Sequence, residues 1–153
     1  MGWLGIVSSD KGLVTLLRGG KNRSQLHRWI LRRYPSVHKG KKAFHRARLF
    51  LKSYFKGNPI APPRIDLSSK TPFQQRVLRQ TQKIPYGQVR TYEWLARKVR
   101  SPGGSRACGT VLHKNPLPLF IPCHRIVLKS GKRGGFAWGK KMKGRFLQSE
   151  TEK

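Results

Sequence analysis

The stretch Thr91-Tyr92-Glu93-Trp94-Leu95-Ala96-Arg97-Lys98-Val99-Arg100-Ser101-Pro102-Gly103-Gly104-Ser105-Arg106-Ala107-Cys108-Gly109-Thr110 holds two helical signals separated by a break. Tyr92, Leu95, Ala96 and Val99 recur at i, i+3, i+4 and i+7, which predicts one apolar helix face. Pro102, Gly103 and Gly104 end that helix, and the next one is expected over Ser105–Lys114. Helix, short glycine-containing turn, helix is the helix-turn-helix pattern. Two helices that simply pack together would read the same way. Gly109 costs about 1 kcal/mol of helix propensity relative to alanine, so a packing or contact reason is expected for it.

Working back toward the N-terminus, Thr71-Pro72-Phe73-Gln74 is a strong helix start. Thr71 can cap, Pro72 takes the first helical position, and Gln74 completes a capping box. Phe73, Val77, Leu78 and Thr81 share the inner side of this helix, and Pro85 ends it. Residues 58–63 (Asn-Pro-Ile-Ala-Pro-Pro) form a stiff segment, because its prolines fix φ and remove donors. Before it, residues 40–55 place Ala43, Phe44, Ala47, Leu51 and Phe55 on one helical stripe, and Leu26, Trp29, Ile30 and Arg33 are spaced like another helix. Residues 3–7 and 12–17 read as two strands joined by the polar turn Ser8-Ser9-Asp10-Lys11. The expected class is therefore α/β: a small α+β N-terminal domain over 1–60, a linker over 61–70, and a mostly helical, helix-turn-helix or winged-helix-like domain over 71–153.

The charge is extreme. Of 153 residues, 34 are Lys or Arg and 5 are Asp or Glu, a formal net charge of +29. So few acids argue against a carboxylate cage for Ca²⁺ or Mg²⁺ and against a paired-carboxylate glycosidase. The positive field calls for a polyanion, and with a helix-turn-helix pattern DNA is the expected partner. An anionic membrane surface is the alternative, but no long basic amphipathic segment stands out. At this length roughly 68–70% of the unfolded surface can be buried without staples, and the apolar share of 37% is adequate for a core. Two cysteines do not make a disulfide framework. No secretory signal and no apolar run of membrane-spanning length is present, and Met1-Gly2 lacks the Ser or Thr that myristoylation wants at position 6. The expectation is a cytoplasmic protein, associated with the nucleoid in a prokaryote or nuclear in a eukaryote, off the membrane and monomeric.

Residues 115–128 (Asn-Pro-Leu-Pro-Leu-Phe-Ile-Pro-Cys-His-Arg-Ile-Val-Leu) deliver Cys123 and His124 from a proline-rich backbone. An adjacent imidazole can help form the thiolate, and Arg125 beside it would favour it further. A buried, inert thiol is the other reading. A zinc site built from Cys108, His113, Cys123 and His124 is conceivable, although its spacing matches no finger. His27, His38 and His45 sit in the basic N-terminal region and read as solvated.

Ile121-Pro122-Cys123-His124-Arg125-Ile126-Val127 closely resembles the active-site signature of the O6-alkylguanine-DNA alkyltransferases. Thr71-Pro72-Phe73-Gln74-Gln75, Ile84-Pro85-Tyr86-Gly87, Thr91-Tyr92, Arg106-Ala107-Cys108-Gly109 and Asn115-Pro116 follow the order and spacing of that family. Gly134-Gly135-Phe136, Gly139 and Arg145-Phe146-Leu147 resemble its C-terminal section. The likeness covers residues 71–150, whereas the first 60 residues fit only as a small variable α/β domain.

The resemblance implies a direct reversal of DNA damage. An alkyl group leaves O6 of guanine, with O4-methylthymine as a further candidate lesion, and stays irreversibly on the protein's cysteine, so each molecule acts once. It needs no cofactor. Cys123 matches the acceptor, His124 the residue that takes its proton through a water, and Glu150 the carboxylate that orients this histidine. The target nucleotide must be flipped out of the duplex. Tyr92 matches the residue that aids rotation and donates a proton toward guanine N3, and Arg106 the finger that fills the vacated stack. Ser105, Ala107 and Gly109 would form the close-approach face in the minor groove, with Arg125 also counted among the DNA-binding residues. Asn115 matches the side chain tying the helix-turn-helix to the cysteine loop. Pro118, Phe136, Ala137, Trp138 and Ile126 would wall the alkyl pocket, with the Cys123 and Ile126 carbonyls reading the exocyclic amine of guanine. Phe136 stands where a tyrosine is common, and Trp138 where the residue is usually small. The indole either narrows the pocket or folds away onto the last helix. Cys108 reads as a small core residue, and the metal-binding cysteines of some members are absent, so no structural zinc is expected. Two other functions remain: a non-enzymatic lesion sensor, which in related proteins lacks the acceptor cysteine, and a basic architectural DNA-binding protein.

Overall fold

The computed structural model describes residues 3–19, 21–36, 40 and 42–152; Met1-Gly2 and His38 lie outside them. The first two strands, β1 (Leu4–Ser9) and β2 (Gly12–Arg18), form an antiparallel hairpin with a bulge at Val7/Ser8. Val7 of β1 and Leu13 and Thr15 on one face of β2 are buried, and Leu16 on the opposite face is buried too. Gly12 lets the hairpin dock: a Cβ there would lie 2.5 Å from the Arg64 carbonyl oxygen, at φ +151°. Leu13 donates its N–H to that oxygen and accepts from the Asp66 N–H, both at 2.8 Å. The segment expected as a linker is therefore laid along β2 as a further edge.

Helix α1 (Arg23–Arg33) starts at Asn22, whose side chain accepts the Gln25 N–H, and it buries Leu26. Trp29, in the same helical spacing as Leu26, is exposed. Helix α2 (Lys42–Phe55) turns inward the face carrying Ala47, Phe50 and Tyr54. The predicted stripe of Ala43, Phe44, Ala47, Leu51 and Phe55 is thus corrected, with Phe44 and Phe55 exposed. The reason is tertiary. Phe50 stacks on Phe120 of the cysteine loop, and Tyr54 meets Tyr86 and Phe146 edge-on.

Helix α3 (Pro72–Gln82) has the full capping box between Thr71 and Gln74. The short strand β3 (Arg90–Thr91) runs into α4 (Tyr92–Lys98), which is capped by Thr91, and α5 is Ser105–His113. Helices α3, α4 and α5 pack on one another. A single 3-10 turn, Cys123–Arg125, leads into β4 (Ile126–Val127), which pairs in parallel with β3. The chain closes with α6 (Lys140–Thr151).

One continuous buried cluster joins the two ends of the chain. Leu13, Leu16, Ala47, Phe50 and Tyr54 pack with Val77, Leu95, Val111, Ile121, Ile126 and Phe146. The hairpin also bonds to the loop after α5, since Leu16 N–H and Thr15 Oγ1 both reach the Pro116 carbonyl, at 2.8 and 3.0 Å. The cysteine loop is thereby held from the N-terminal side as well as by the helix-turn-helix.

Candidate active site

Between Asn115 and Cys123 the chain makes a tight buried loop. Asn115 organises it: its Oδ1 accepts the Leu117 N–H at 3.0 Å, and its Nδ2 donates to the Ile121 carbonyl at 2.9 Å and to Cys123 Sγ at 3.0 Å. Leu119 is forced to φ +76°, a backbone conformation that L residues adopt at a cost of about 1–2 kcal/mol. Pro122 then feeds the 3-10 turn that presents Cys123.

Cys123 is almost fully buried. Burial pushes its thiol up to about 11, against the opposing pull of the Asn115 hydrogen bond and the Lys143 charge. The resting sulfur is therefore protonated at neutral pH, and a base must take its proton before it can act as a nucleophile. Arg125 beside it in sequence does not supply that activation. Its guanidinium turns inward, with Nε 2.9 Å from Glu150 Oε2, Nη2 2.9 Å from Oε1, and Nη1 2.6 Å from the Ile84 carbonyl. The expected DNA-binding role of Arg125 is corrected accordingly: its donors are spent on protein acceptors and it is buried.

His124 and Glu150 are both buried, with Nε2 2.8 Å from Oε1. Burial dominates the imidazole and lowers its pKa, against the pull of Glu150, so the ring rests neutral. Burial would raise the Glu150 carboxyl, but hydrogen bonds from His124, Arg125 and Tyr54 outweigh it and hold the group down at about 2. Glu150 Oε2 also accepts the Gly87 N–H at 3.0 Å, from a turn whose φ of +73° a glycine takes without strain. Among the described residues, His124 Nδ1 is the one buried side-chain nitrogen or oxygen without a hydrogen-bond partner.

In front of Cys123 a cavity of about 520 Å³ opens toward the helix-turn-helix, lined by Tyr92 of α4, Ser105, Arg106, Gly109 and Thr110 of α5, and Phe136. Arg106 and Ala107 are exposed at the start of α5, and Cys108 is buried in the core. A methyl group on Gly109 would sit 3.6 Å from the Tyr92 ring, an ordinary contact. The glycine therefore keeps the cavity open rather than relieving a clash. Tyr92 is raised by burial and by the neighbouring Cys123, so its hydroxyl remains a proton donor.

Of the residues expected to wall the pocket, Phe136 is among those lining this cavity, and Pro118, Ile126, Ala137 and Trp138 are not. Pro118 and Ile126 are buried in the cysteine loop and β4, while Ala137 is exposed. Trp138 folds away: its ring lies 6.2 Å from Phe146 of α6 and 6.3 Å from Phe136, with the Arg18 guanidinium 5.6 Å from its centre. Leu112, His113, Leu128 and Gly135 complete the lining instead.

Two buried polar side chains escaped the sequence reading. Lys143 has no exposed surface; its Nζ donates to the Ile126 carbonyl at 2.5 Å and the Gly135 carbonyl at 3.2 Å, and lies 5.8 Å from the centre of the Tyr92 ring. Burial lowers it to about 8. In a chain this rich in lysine no local signal marks it out. Tyr54 of α2 reaches Glu150 and His124, and its signal was the Ala47, Phe50, Tyr54 spacing of i, i+3, i+7. Cys108, His113, Cys123 and His124 do not assemble: among the described residues no three His, Cys, Asp or Glu side chains gather as a metal site.

A helix-turn-helix unit with a nearly buried thiol at the foot of its cavity, backed by an imidazole–carboxylate pair, defines a class in which a DNA-binding motif carries a nucleophile. Residues 72–152 match the family described as 6-O-methylguanine DNA methyltransferase, DNA binding domain. The constitutive methylated-DNA–protein-cysteine methyltransferase of Bacillus subtilis is 44% identical over 77 residues, 50% of this chain and 47% of that one, so this alignment spans about half of either protein. The methylated-DNA–protein-cysteine methyltransferase of Methanosarcina barkeri is 33% identical over 95% of this chain and 88% of its own length. The crystal structure of Mycobacterium tuberculosis OGT in complex with DNA superposes with a TM-score of 0.79 at 30% identity, covering 97% of this chain and 86% of that one. The chain belongs to the 6-O-methylguanine DNA methyltransferase family.

Proposed function

We propose that this protein repairs duplex DNA by moving an alkyl group from O6 of guanine onto its own Cys123, once per molecule. The observation that carries this reading is the placement of a protonated, nearly buried thiol between an open cavity and a neutral imidazole whose Nδ1 has no protein partner. In the reaction Cys123 Sγ forms a bond to the alkyl carbon, and the bond from that carbon to O6 breaks. The thiol proton passes through a water to His124 Nδ1, which has no protein partner, and Glu150 stabilises the resulting imidazolium through Nε2. Asn115 aims the sulfur.

A guanine in a stacked duplex cannot offer its alkyl carbon for in-line attack, so the nucleotide rotates into the cavity at a cost of a few kcal/mol. Arg106, exposed at the start of α5, takes the vacated place. Ser105, Ala107 and Gly109 supply a face slim enough for close approach to the minor groove. Tyr92 donates a proton to the departing guanine, whose charge would otherwise fall on N3. The Cys123 carbonyl, at the foot of the cavity, accepts the exocyclic amine. Because Trp138 lies outside the cavity, it does not narrow the site to methyl groups. The protein acts as a monomer in the cytoplasm, or wherever the cell keeps its DNA; among the described residues no helix is long and apolar enough to cross a membrane.

Intact-protein and peptide mass spectrometry after mixing with excess O6-methylguanine duplex tests the proposal, with Cys123→Ala alongside. The expected result is a single methyl on Cys123, saturating at one per protein and absent from the variant. Unmodified protein that still prefers the lesion would replace this reading with a damage sensor. Neither modification nor preference would leave a basic DNA-binding protein.

A further inference from the structure

Tyr54 stands at the end of α2, well before the helix-turn-helix opens at Tyr92, yet its hydroxyl lies inside the polar cluster behind Cys123. Its oxygen is 2.7 Å from Glu150 Oε1 and 3.3 Å from His124 Nε2. Only 1% of the residue is exposed, so this hydroxyl has no recourse to water and must be satisfied within the cluster.

The hydrogen-bond directions are determined by the chemistry of the partners. Glu150 is ionised and can only accept, so the Tyr54 O–H donates to Oε1. The tyrosine oxygen then has only lone pairs left, and these face Nε2. Nε2 therefore lies between two acceptors, Oε1 at 2.8 Å and the tyrosine oxygen at 3.3 Å. Both require a hydrogen on Nε2, which leaves the lone pair of the neutral ring on Nδ1. The ring is also packed edge-on by Tyr54 at 6.3 Å and by Phe136 at 6.2 Å.

We propose that Tyr54 is a positioning residue for the transfer reaction: its hydroxyl locks His124 with the proton on Nε2, so that Nδ1 is free to take the thiol proton. The N-terminal region thereby contributes to the chemistry as well as to the core. The kinetic part of this inference rests on the alkyl-transfer reading above; the tautomer part does not.

The ionisable groups around the pair come from several elements: Glu150 and Lys143 from α6, Arg125 from the 3-10 turn, and Tyr86 from the turn after α3. Tyr54 itself is held neutral by burial and by the charge of Glu150. Removing its hydroxyl takes one donor from Oε1, which concentrates the carboxylate charge on Nε2–H and makes the imidazole more basic. The ring then holds a second proton up to higher pH, and in that state it cannot accept the thiol proton.

The test is Tyr54→Phe in the full chain, which keeps the ring and removes one oxygen. Single-turnover transfer from an O6-methylguanine duplex is measured across pH, beside affinity for the same duplex. Transfer at neutral pH is expected to fall about tenfold, the size of one lost hydrogen bond. The acidic limb of the rate profile is expected to move to higher pH while DNA affinity stays unchanged. A profile of unaltered shape would overturn the proposal, including when the variant is merely less stable. Nitrogen NMR of the His124 ring is the second measurement and needs no transfer: wild type should show the Nε2–H tautomer, and Tyr54→Phe should raise the titration midpoint of the ring. If wild type transfers no methyl, the alkyl-transfer reading fails while this measurement still decides the role of Tyr54. The Nδ1–H tautomer in wild type, or identical spectra for the two proteins, would reject it.

Discussion

On the side of Cys123 that faces His124 and Glu150 the protein is closed, and on the side that faces Tyr92 and α5 it is an open cavity of about 520 Å³. The closed side is polar and almost fully hydrogen-bonded. Glu150 accepts from His124, Arg125, Tyr54 and the Gly87 backbone, groups drawn from three separate parts of the chain. The open side is mostly apolar, lined by residues of α4, α5, the 3-10 turn and the loop before α6. The difference suits what the proposed transfer asks of each side. A proton acceptor needs a fixed tautomer and a dry setting, which only a saturated network supplies. A pocket for an extruded base needs room and few commitments before the base arrives.

Substitutions on the two sides should therefore fail differently. Glu150→Ala is expected to have the largest effect, a loss of about 3–5 kcal/mol, because it strands the buried Arg125 guanidinium. Chemical denaturation measures it, and a loss under 1 kcal/mol would mean the closed side is not a cooperative unit. Acid should act on the same network. The Glu150 carboxyl sits at about 2 when folded against an ordinary 4.5, so its contribution is complete above pH 4.5 and disappears as pH falls toward 2. The span amounts to about 3 kcal/mol, and a Glu150→Gln variant, compared by acid titration, should lack this part of the pH dependence.

Trp138→Gly sharpens the comparison from the other side. The indole packs on Phe136 and Phe146 and under Arg18 outside the cavity. The variant is expected to lose about 2 kcal/mol of stability from lost aromatic contact area, while its relative rates on methyl and benzyl adducts stay unchanged. A selective gain for benzyl would place the indole in the pocket after all. Gly109→Ala is the smallest change and should reverse the sign. A methyl has room beside Tyr92 and improves helix propensity, so thermal melting should show a gain of up to about 1 kcal/mol. Transfer and lesion binding should nonetheless fall, because the methyl occupies the face proposed to approach the DNA.

Legibility divides along the same line. Cys123 and His124 stood out as an adjacent thiol and imidazole in a chain with two cysteines, while Glu150, one of five acids among 153 residues, was assigned through the family resemblance. The pocket wall was misread at Pro118, Ile126, Ala137 and Trp138, all of which are near Cys123 or Phe136 in sequence. Which of them face the cavity depends on how the loops turn, and neighbours along a loop point in different directions. Arg125 was misread for a related reason. A guanidinium in so basic a chain looks like a DNA contact until Glu150 and the Ile84 carbonyl are seen around it. Tyr54 and the inner face of α2 were rotated by the demands of Phe120, Tyr86 and Phe146, none of which is local.

By itself the sequence determined the elements, since capping residues, prolines and apolar spacing act over a few residues. It also marked Cys123 and His124 as the candidate nucleophile and base, because those functions need particular side chains in a fixed order. The tertiary structure decided which buried groups complete the network and which residues enclose the cavity. Those outcomes arise from burial and hydrogen bonding between segments tens of residues apart, where the choice of partner depends on the whole packed core.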